Sequence, residues 1–139
     1  MTIINLNNLE LNEFIGKYRV EQHCKATFPM FRINGTKSSA TVYLEIEPGD
    51  NLGMHTDSAE ELLLILEGEA DLIIGGEKMK AAEKTLAHVP VLVPHDIINS
   101  GSKKLKVLGF FGGANDIVAT FENVWLPTDS KVVDTSQVT

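Results

Sequence analysis

Thr41 to Glu47 reads TVYLEIE, with Val42, Leu44 and Ile46 alternating against polar or amphipathic neighbours, the two-residue period of a half-buried strand. Pro48-Gly49-Asp50 stops it. Leu62 to Leu66 is instead continuously apolar, the pattern of a strand buried on both faces, and it closes at Glu67-Gly68-Glu69. Alternation resumes at Ala70, Leu72 and Ile74 before Gly75-Gly76 turns the chain, a hairpin signature. Two further short strands are expected in LAHVPVLVP, punctuated by Pro90 and Pro94, and in LKVLGFF, ended by Gly112-Gly113. Short strands with regular turns and no long segment of helical period argue for an all-β sandwich or barrel. Asp116 to Trp125 is open between two readings: a helix capped by Asp116 with Ile117, Phe121 and Val124 on one face, or a strand. Asp129 to Thr139 is polar with scattered valines and is expected to be a loosely held tail. The chain has no internal repeat and no low-complexity tract.

The apolar run is preceded directly by His55, Asp57, Glu60 and Glu61. Charges at the mouth of a buried strand are costly unless they are paired or bound to a metal. A strand offers two donors to one point because residues i and i+2 share a face, and His55 and Asp57 have that spacing. Glu61 enters the adjoining strand, and His95 lies in a separate segment, VPVLVPHDIIN, that must fold back for the four to meet.

These residues carry a resemblance. The first signature of the cupins, small β-barrels of jelly-roll type, reads G-x5-H-x-H-x3 or x4-E-x6-G, and Gly49, His55, Asp57, Glu61 and Gly68 stand at those spacings, with Asp57 where the family usually has a second histidine. The second reads G-x5-P-x-G-x2-H-x3-N, and Pro90, His95 and Asn99 fall in place, with Lys84 and Leu92 where the family has glycines. The resemblance covers roughly residues 42 to 111. It implies an all-β jelly-roll barrel, a double-stranded β-helix, as one domain over residues 1–139: the motif-bearing barrel over about 40–112, N-terminal strands in 1–39 and a C-terminal extension in 113–139.

It also implies a divalent transition metal held inside the barrel by His55, Glu61 and His95, with three possibilities for Asp57. Imidazole and carboxylate donors suit iron, nickel, manganese or zinc. Asp57 either binds, giving two histidines and two carboxylates that formally neutralise a dication, or turns aside to leave the two-histidine, one-carboxylate set that suits non-haem Fe(II), or marks a decayed site. An enzyme is expected, of dioxygenase, decarboxylase, isomerase or lyase type, acting on a small polar or phenolic molecule with Asp57 or Glu60 as base. The alternative is a non-catalytic barrel that binds a small ligand, with or without metal.

Other polar and aromatic residues take plainer readings. His88 is expected to be a satisfied strand histidine or a donor behind the site, and His23 and Cys24 to be structural. Asn99 reads as a hydrogen-bonder that closes the loop after His95. Tyr43, Phe110, Phe111 and Trp125 belong to the core or line a pocket. Arg32 either grips a substrate carboxylate or sits solvated on an edge strand.

Composition removes whole classes of function. The chain has 139 residues, 43% hydrophobic and 22% charged, which suits one domain with a real core. A net charge of −7 excludes nucleic acid and anionic membrane as expected partners, since both call for basic patches. Lys103, Lys104 and Lys106 alternate with apolar residues as the solvated face of a strand. No basic region leads into an apolar core at the N-terminus, and the single cysteine fits a reducing compartment, so a cytoplasmic location is expected. A homodimer is expected, with Ile3, Ile4, Leu6, Leu9 and Leu11 adding a strand to a neighbour's sheet.

Overall fold

Inward and outward positions alternate over Glu60–Glu67 and Leu105–Gly112 in the computed structural model, which describes residues 1–139. The strands, in chain order, are β1 (Asn12–Gly16), β2 (His23–Thr27), β3 (Ser39–Ile46), β4 (His55–Asp57), β5 (Glu60–Glu67), β6 (Ala70–Ile74), β7 (Glu77–Ala81), β8 (Leu86–Val89), β9 (His95–Asn99), β10 (Leu105–Gly112), β11 (Val118–Leu126) and β12 (Ser130–Asp134). No α-helix forms; the only helical pieces are three single 3₁₀ turns.

Hydrogen bonds join the strands in the order β7-β6-β9-β4-β11-β1-β2-β3-β10-β5-β8, with β12 on β11, and the pairings are antiparallel. The sheet curls on itself into the jelly-roll barrel that the motifs imply. Its inward faces close over Ile46, Leu63, Ile65, Leu72, Ile97 and Leu105, each at most 2% exposed. That burial is the main driving force for the fold, at roughly 1.5–3 kcal/mol for each large apolar side chain.

The expectation for Leu62 to Leu66 is corrected. The run is not buried on both faces: Leu63 and Ile65 point inward at 1% exposure, whereas Leu62 is 39% exposed. A barrel wall one sheet thick has a single interior, so strand geometry imposes the alternation that the residue types lack. Within this single chain Ile3, Ile4, Leu6, Leu9 and Leu11 belong to no strand. Leu6–Asn8 is a 3₁₀ turn capped by Asn5, and the first strand begins only at Asn12.

The C-terminal tail is held rather than loose. Strand β12 pairs with β11 through Ala119↔Val133. Beyond it, buried Thr135 accepts the Ile117 N–H through Oγ1 at 2.9 Å and donates to Asp116 at 2.8 Å. Arg32 completes this clamp, donating to Asp116 at 2.8 Å and to the carbonyls of Thr135 and Val138. It therefore neither reaches the barrel interior nor stands free. Of the two readings for Asp116–Trp125 the strand is the one that forms, because β4, β1 and β12 supply backbone partners and Ile117, Ala119 and Phe121 then share the buried side.

Lys84 and Leu92, at the positions where the cupin pattern has glycine, take left-handed backbone with φ of 68° and 61°. For an ordinary residue that costs roughly 1–2 kcal/mol. Backbone bonds hold both: Lys84 N–H donates to Ile65 O at 2.7 Å and Leu92 N–H to Asp57 O at 3.0 Å. The turn geometry survives the loss of glycine.

Candidate metal centre

Strand β4 is only three residues long, and its period puts His55 and Asp57 on the inward side with Thr56 between them. Its partner β9 places His95 directly opposite His55, and β11 brings Phe121 opposite His55 on the other flank. Strand β5 starts at Glu60, so Glu61 is its first inward residue. The four side chains expected to converge do so: His55, Asp57, Glu61 and His95 are each at most 5% exposed.

One ligand atom from each of His55, Asp57 and His95 lies within 4.8 Å of the others. Nε2 of His95 is 3.0 Å from Asp57 Oδ2 and 3.5 Å from Glu61 Oε1, and Nε2 of His55 is 3.7 Å from Asp57 Oδ2. Asp57, the open member of the set in the sequence, thus stands between the two imidazoles, with Glu61 at the margin.

The far side of each ring fixes its chemistry. Nδ1 of His55 lies 2.8 Å from Gly53 O, and Nδ1 of His95 lies 2.8 Å from Val93 O. A carbonyl oxygen only accepts, so both Nδ1 atoms carry a proton, and each ring in its neutral form directs an Nε2 lone pair at Asp57. This is how metal-binding imidazoles are commonly oriented. In spite of the 3.0 Å approach, Asp57 Oδ2 and His95 Nε2 are not aligned as a hydrogen bond, and both are buried without a hydrogen-bond partner. A cation among these donors satisfies both atoms at once, so the donor set fits a divalent transition metal.

Burial shapes the charges. It pushes the His55 pKa down to about 4, with the neighbouring His95 adding to the effect. Burial also opposes charge on His95, but the Asp57 and Glu61 carboxylates beside Nε2 outweigh it and lift that pKa to about 10. Glu61 is raised to about 7, chiefly by burial and further by the nearby Asp57 carboxylate.

Two supporting residues escape a reading of the sequence. Gly109 on β10 leaves the space that the Glu61 carboxylate fills. Asp96, buried and next to His95, accepts the Gly53 N–H at 2.8 Å and an Asn51 side-chain N–H at 3.0 Å. It thereby fixes the loop whose carbonyl orients His55. Asp96 had a weak signal, a charge inside the apolar segment VPHDII; Gly109 had none, since its role depends on which strand lies beside it.

Glu60 is corrected as a candidate base. It faces outward, 57% exposed along its side chain, and pairs with the equally outward His88 at 2.9 Å. Period two places Glu60 and Glu61 on opposite faces. His88 consequently serves no role behind the site. Asn99 does close its loop, donating to Ile46 O and Lys103 O and accepting from Gly101 N–H. His23 sits between Glu13 and Asp50 at the surface, and burial pushes the Cys24 thiol up to about 12. Phe111 and Trp125 line the barrel cavity, Tyr43 is buried and donates to Glu45, and Phe110 is 41% exposed.

The cavity opens from this cluster and has a volume of about 70 Å³. Fourteen of its seventeen lining residues are hydrophobic, and His55, Asp57 and Glu61 are the polar ones.

A family model described as Cupin domain matches residues 42–111. No curated protein matches the sequence. Among solved structures the chain resembles a protein described as an oxalate decarboxylase of Thermotoga maritima, at 17% identity with a TM-score of 0.69, covering 81% of this chain and 99% of that one. It also resembles a protein described as a sugar phosphate isomerase of Acidithiobacillus ferrooxidans, at 15% identity and a TM-score of 0.66, covering 99% and 94%. A third is the polyketide cyclase RemF of Streptomyces resistomycificus, at 14% identity and 0.65, covering 81% and 79%. At such identities the likeness is one of fold.

Proposed function

The chain belongs to the cupin family, and on that premise we propose that it is a metal-dependent enzyme acting on a small molecule inside the barrel. One observation carries the reading: two buried imidazoles, each tied through Nδ1 to a backbone carbonyl, direct Nε2 at a buried Asp57 oxygen that has no other partner. His55, Asp57 and His95 hold the metal, with Glu61 beside them as fourth donor or proton carrier. Iron, nickel, manganese or zinc supplies Lewis acidity toward a substrate oxygen, and iron adds oxidative chemistry.

The protein's own groups do the rest. Gly53 O and Val93 O hold the rings in one tautomer. The Glu61 carboxyl gives or takes a proton at Oε1, a task for which its raised pKa of about 7 suits it. The apolar walls exclude water. Relatives by fold are described as a decarboxylase, an isomerase and a cyclase, so the family supports an enzyme without selecting the reaction.

A second reading is supported by the raised pKa of His95, which lets the imidazolium satisfy Asp57 and Glu61 in a non-catalytic, ligand-binding barrel without metal. Elemental analysis of protein purified without chelator, alongside His95→Ala, separates the two. Near-stoichiometric metal that disappears in the variant supports the enzyme. Protein that contains no metal and takes up none on titration with any of the four overturns it.

A further inference from the structure

We propose that the barrel takes an uncharged aromatic molecule bearing a single oxygen donor, a phenol, and not a sugar, a sugar phosphate or a small dicarboxylate. This deepens the reading of a metal-dependent site and rests on it only for the destination of the oxygen; the choice of an apolar ligand follows from the walls alone.

The first observation is a continuous ladder of rings. His95 and His55 lie 4.0 Å apart between centroids, and His55 stacks on Phe121 at 4.5 Å and 18°. Phe121 meets Trp125 edge-on at 5.4 Å, and Trp125 meets Phe14 edge-on at 6.1 Å. The ladder runs from the donor cluster along one wall to half-buried Phe14. Of these rings His55, Phe121, Trp125 and Phe14 line the cavity, and a flat ring entering it meets aromatic neighbours along that wall.

The second observation is what the wall lacks. No lysine, arginine, serine, threonine, asparagine or glutamine lines the cavity. The hydroxyls of a sugar would be buried there without partners, which a site rejects strongly. Arg32, the cation best placed in the sequence to grip a carboxylate, is committed to Asp116 and the C-terminal carbonyls.

Charge gives the third argument. Asp57 and Glu61, both nearly fully buried, formally cancel a bound dication, and without metal they leave the inner end anionic or neutral. In neither state does the site offer a net positive charge to a carboxylate or phosphate. One oxygen has polar company at the inner end; every other atom of the ligand meets hydrocarbon.

Trp125 is the single tryptophan and lines the cavity, so its emission reports occupancy directly. The test titrates the protein as purified, and the same protein stripped by chelator, with 2-naphthol, 2-naphthoate, oxalate and glucose 6-phosphate. Trp125 emission follows the aromatic probes, and calorimetry follows all four. The expected result is saturable quenching by 2-naphthol at micromolar concentration, at least tenfold weaker binding of 2-naphthoate, and no binding of oxalate or the sugar phosphate.

Ala26→Leu, which fills the cavity from β2 away from the donor strands, is expected to weaken 2-naphthol binding at least tenfold while metal content stays unchanged; Ala26→Val is the milder second variant should the first not fold. Binding of oxalate, 2-naphthoate or the sugar phosphate in preference to 2-naphthol overturns the inference while leaving the metal site standing. Equal 2-naphthol binding by protein that never takes up metal retains the apolar ligand and removes the metal reading.

Discussion

The carboxylate of Glu61 occupies the place where Gly109, on the adjacent strand β10, has no side chain. A Cβ built at Gly109 overlaps Oε2 of Glu61 and stands 2.8 Å from Val42 Cγ1. Gly109→Ala is therefore expected to displace Glu61, weaken metal binding by about 10- to 100-fold and destabilise the fold by about 1–3 kcal/mol. Gly112→Ala on the same strand, where an added Cβ meets nothing within 4 Å, is the control and is expected to change neither. Calorimetric metal titration and thermal melts of both variants provide the check, and equal behaviour of the two would remove Gly109 from the site.

Metal binding is expected to release protons. At pH 7 His95, with a pKa of about 10, is protonated in the metal-free protein, and Glu61, at about 7, is protonated about half the time. Both must be deprotonated to act as ligands, so uptake of zinc at pH 7 releases about one to two protons. Titration in two buffers of different ionisation enthalpy measures the number. A value near zero would mean that the metal binds elsewhere.

The metal-free protein is expected to lose stability above neutral pH. His95 has a folded pKa raised from 6.5 to about 10, so its contribution is complete below pH 6.5 and disappears as pH rises toward 10. Glu61, raised from 4.5 to about 7, acts in the same direction over its own range. His55, lowered to about 4, instead loses its contribution as pH falls from 6.5 toward 4. Thermal melts in chelator should show Tm falling between pH 7 and 10, and bound metal should remove that fall.

Asp96 reaches the site through Gly53, whose N–H it accepts and whose carbonyl orients His55. Asp96→Ala is expected to lower metal affinity by about tenfold or more although Asp96 touches no ligand atom of His55. Asp96→Asn keeps an acceptor for the Gly53 N–H and should fall between the variant and the native protein. Affinities for one metal across the three proteins test the order.

Leu92 holds φ at 61° and is 62% exposed, so glycine there relieves strain and sacrifices little packing. Relief of about 1–2 kcal/mol is opposed by about 0.5–1 kcal/mol of added freedom in the unfolded chain. Leu92→Gly is expected to raise Tm by a few degrees, read in a thermal melt; a lower Tm would show that Leu92 makes contacts worth more than its strain.

The residue order alone determined the all-β class, because alternation at Val42, Leu44 and Ile46 and at Ala70, Leu72 and Ile74 depends on neighbours two apart, and turn residues mark the ends of such segments. The donor set His55, Asp57, Glu61 and His95 was legible through the resemblance of its spacing to the cupin signature. Tertiary structure decided what depends on which strand lies beside which. Glu60 and Glu61 are adjacent in the chain yet face solvent and interior, and Leu62 to Leu66 is uniformly apolar yet half of it faces out, because a barrel wall has only one inside. Asp116 to Trp125 fits a helix or a strand by its residues, and partner backbones on β1, β4 and β12 chose the strand. Gly109 shows the limit most clearly: the space it leaves for Glu61 exists only when β10 pairs with β5, a contact between residues 48 positions apart.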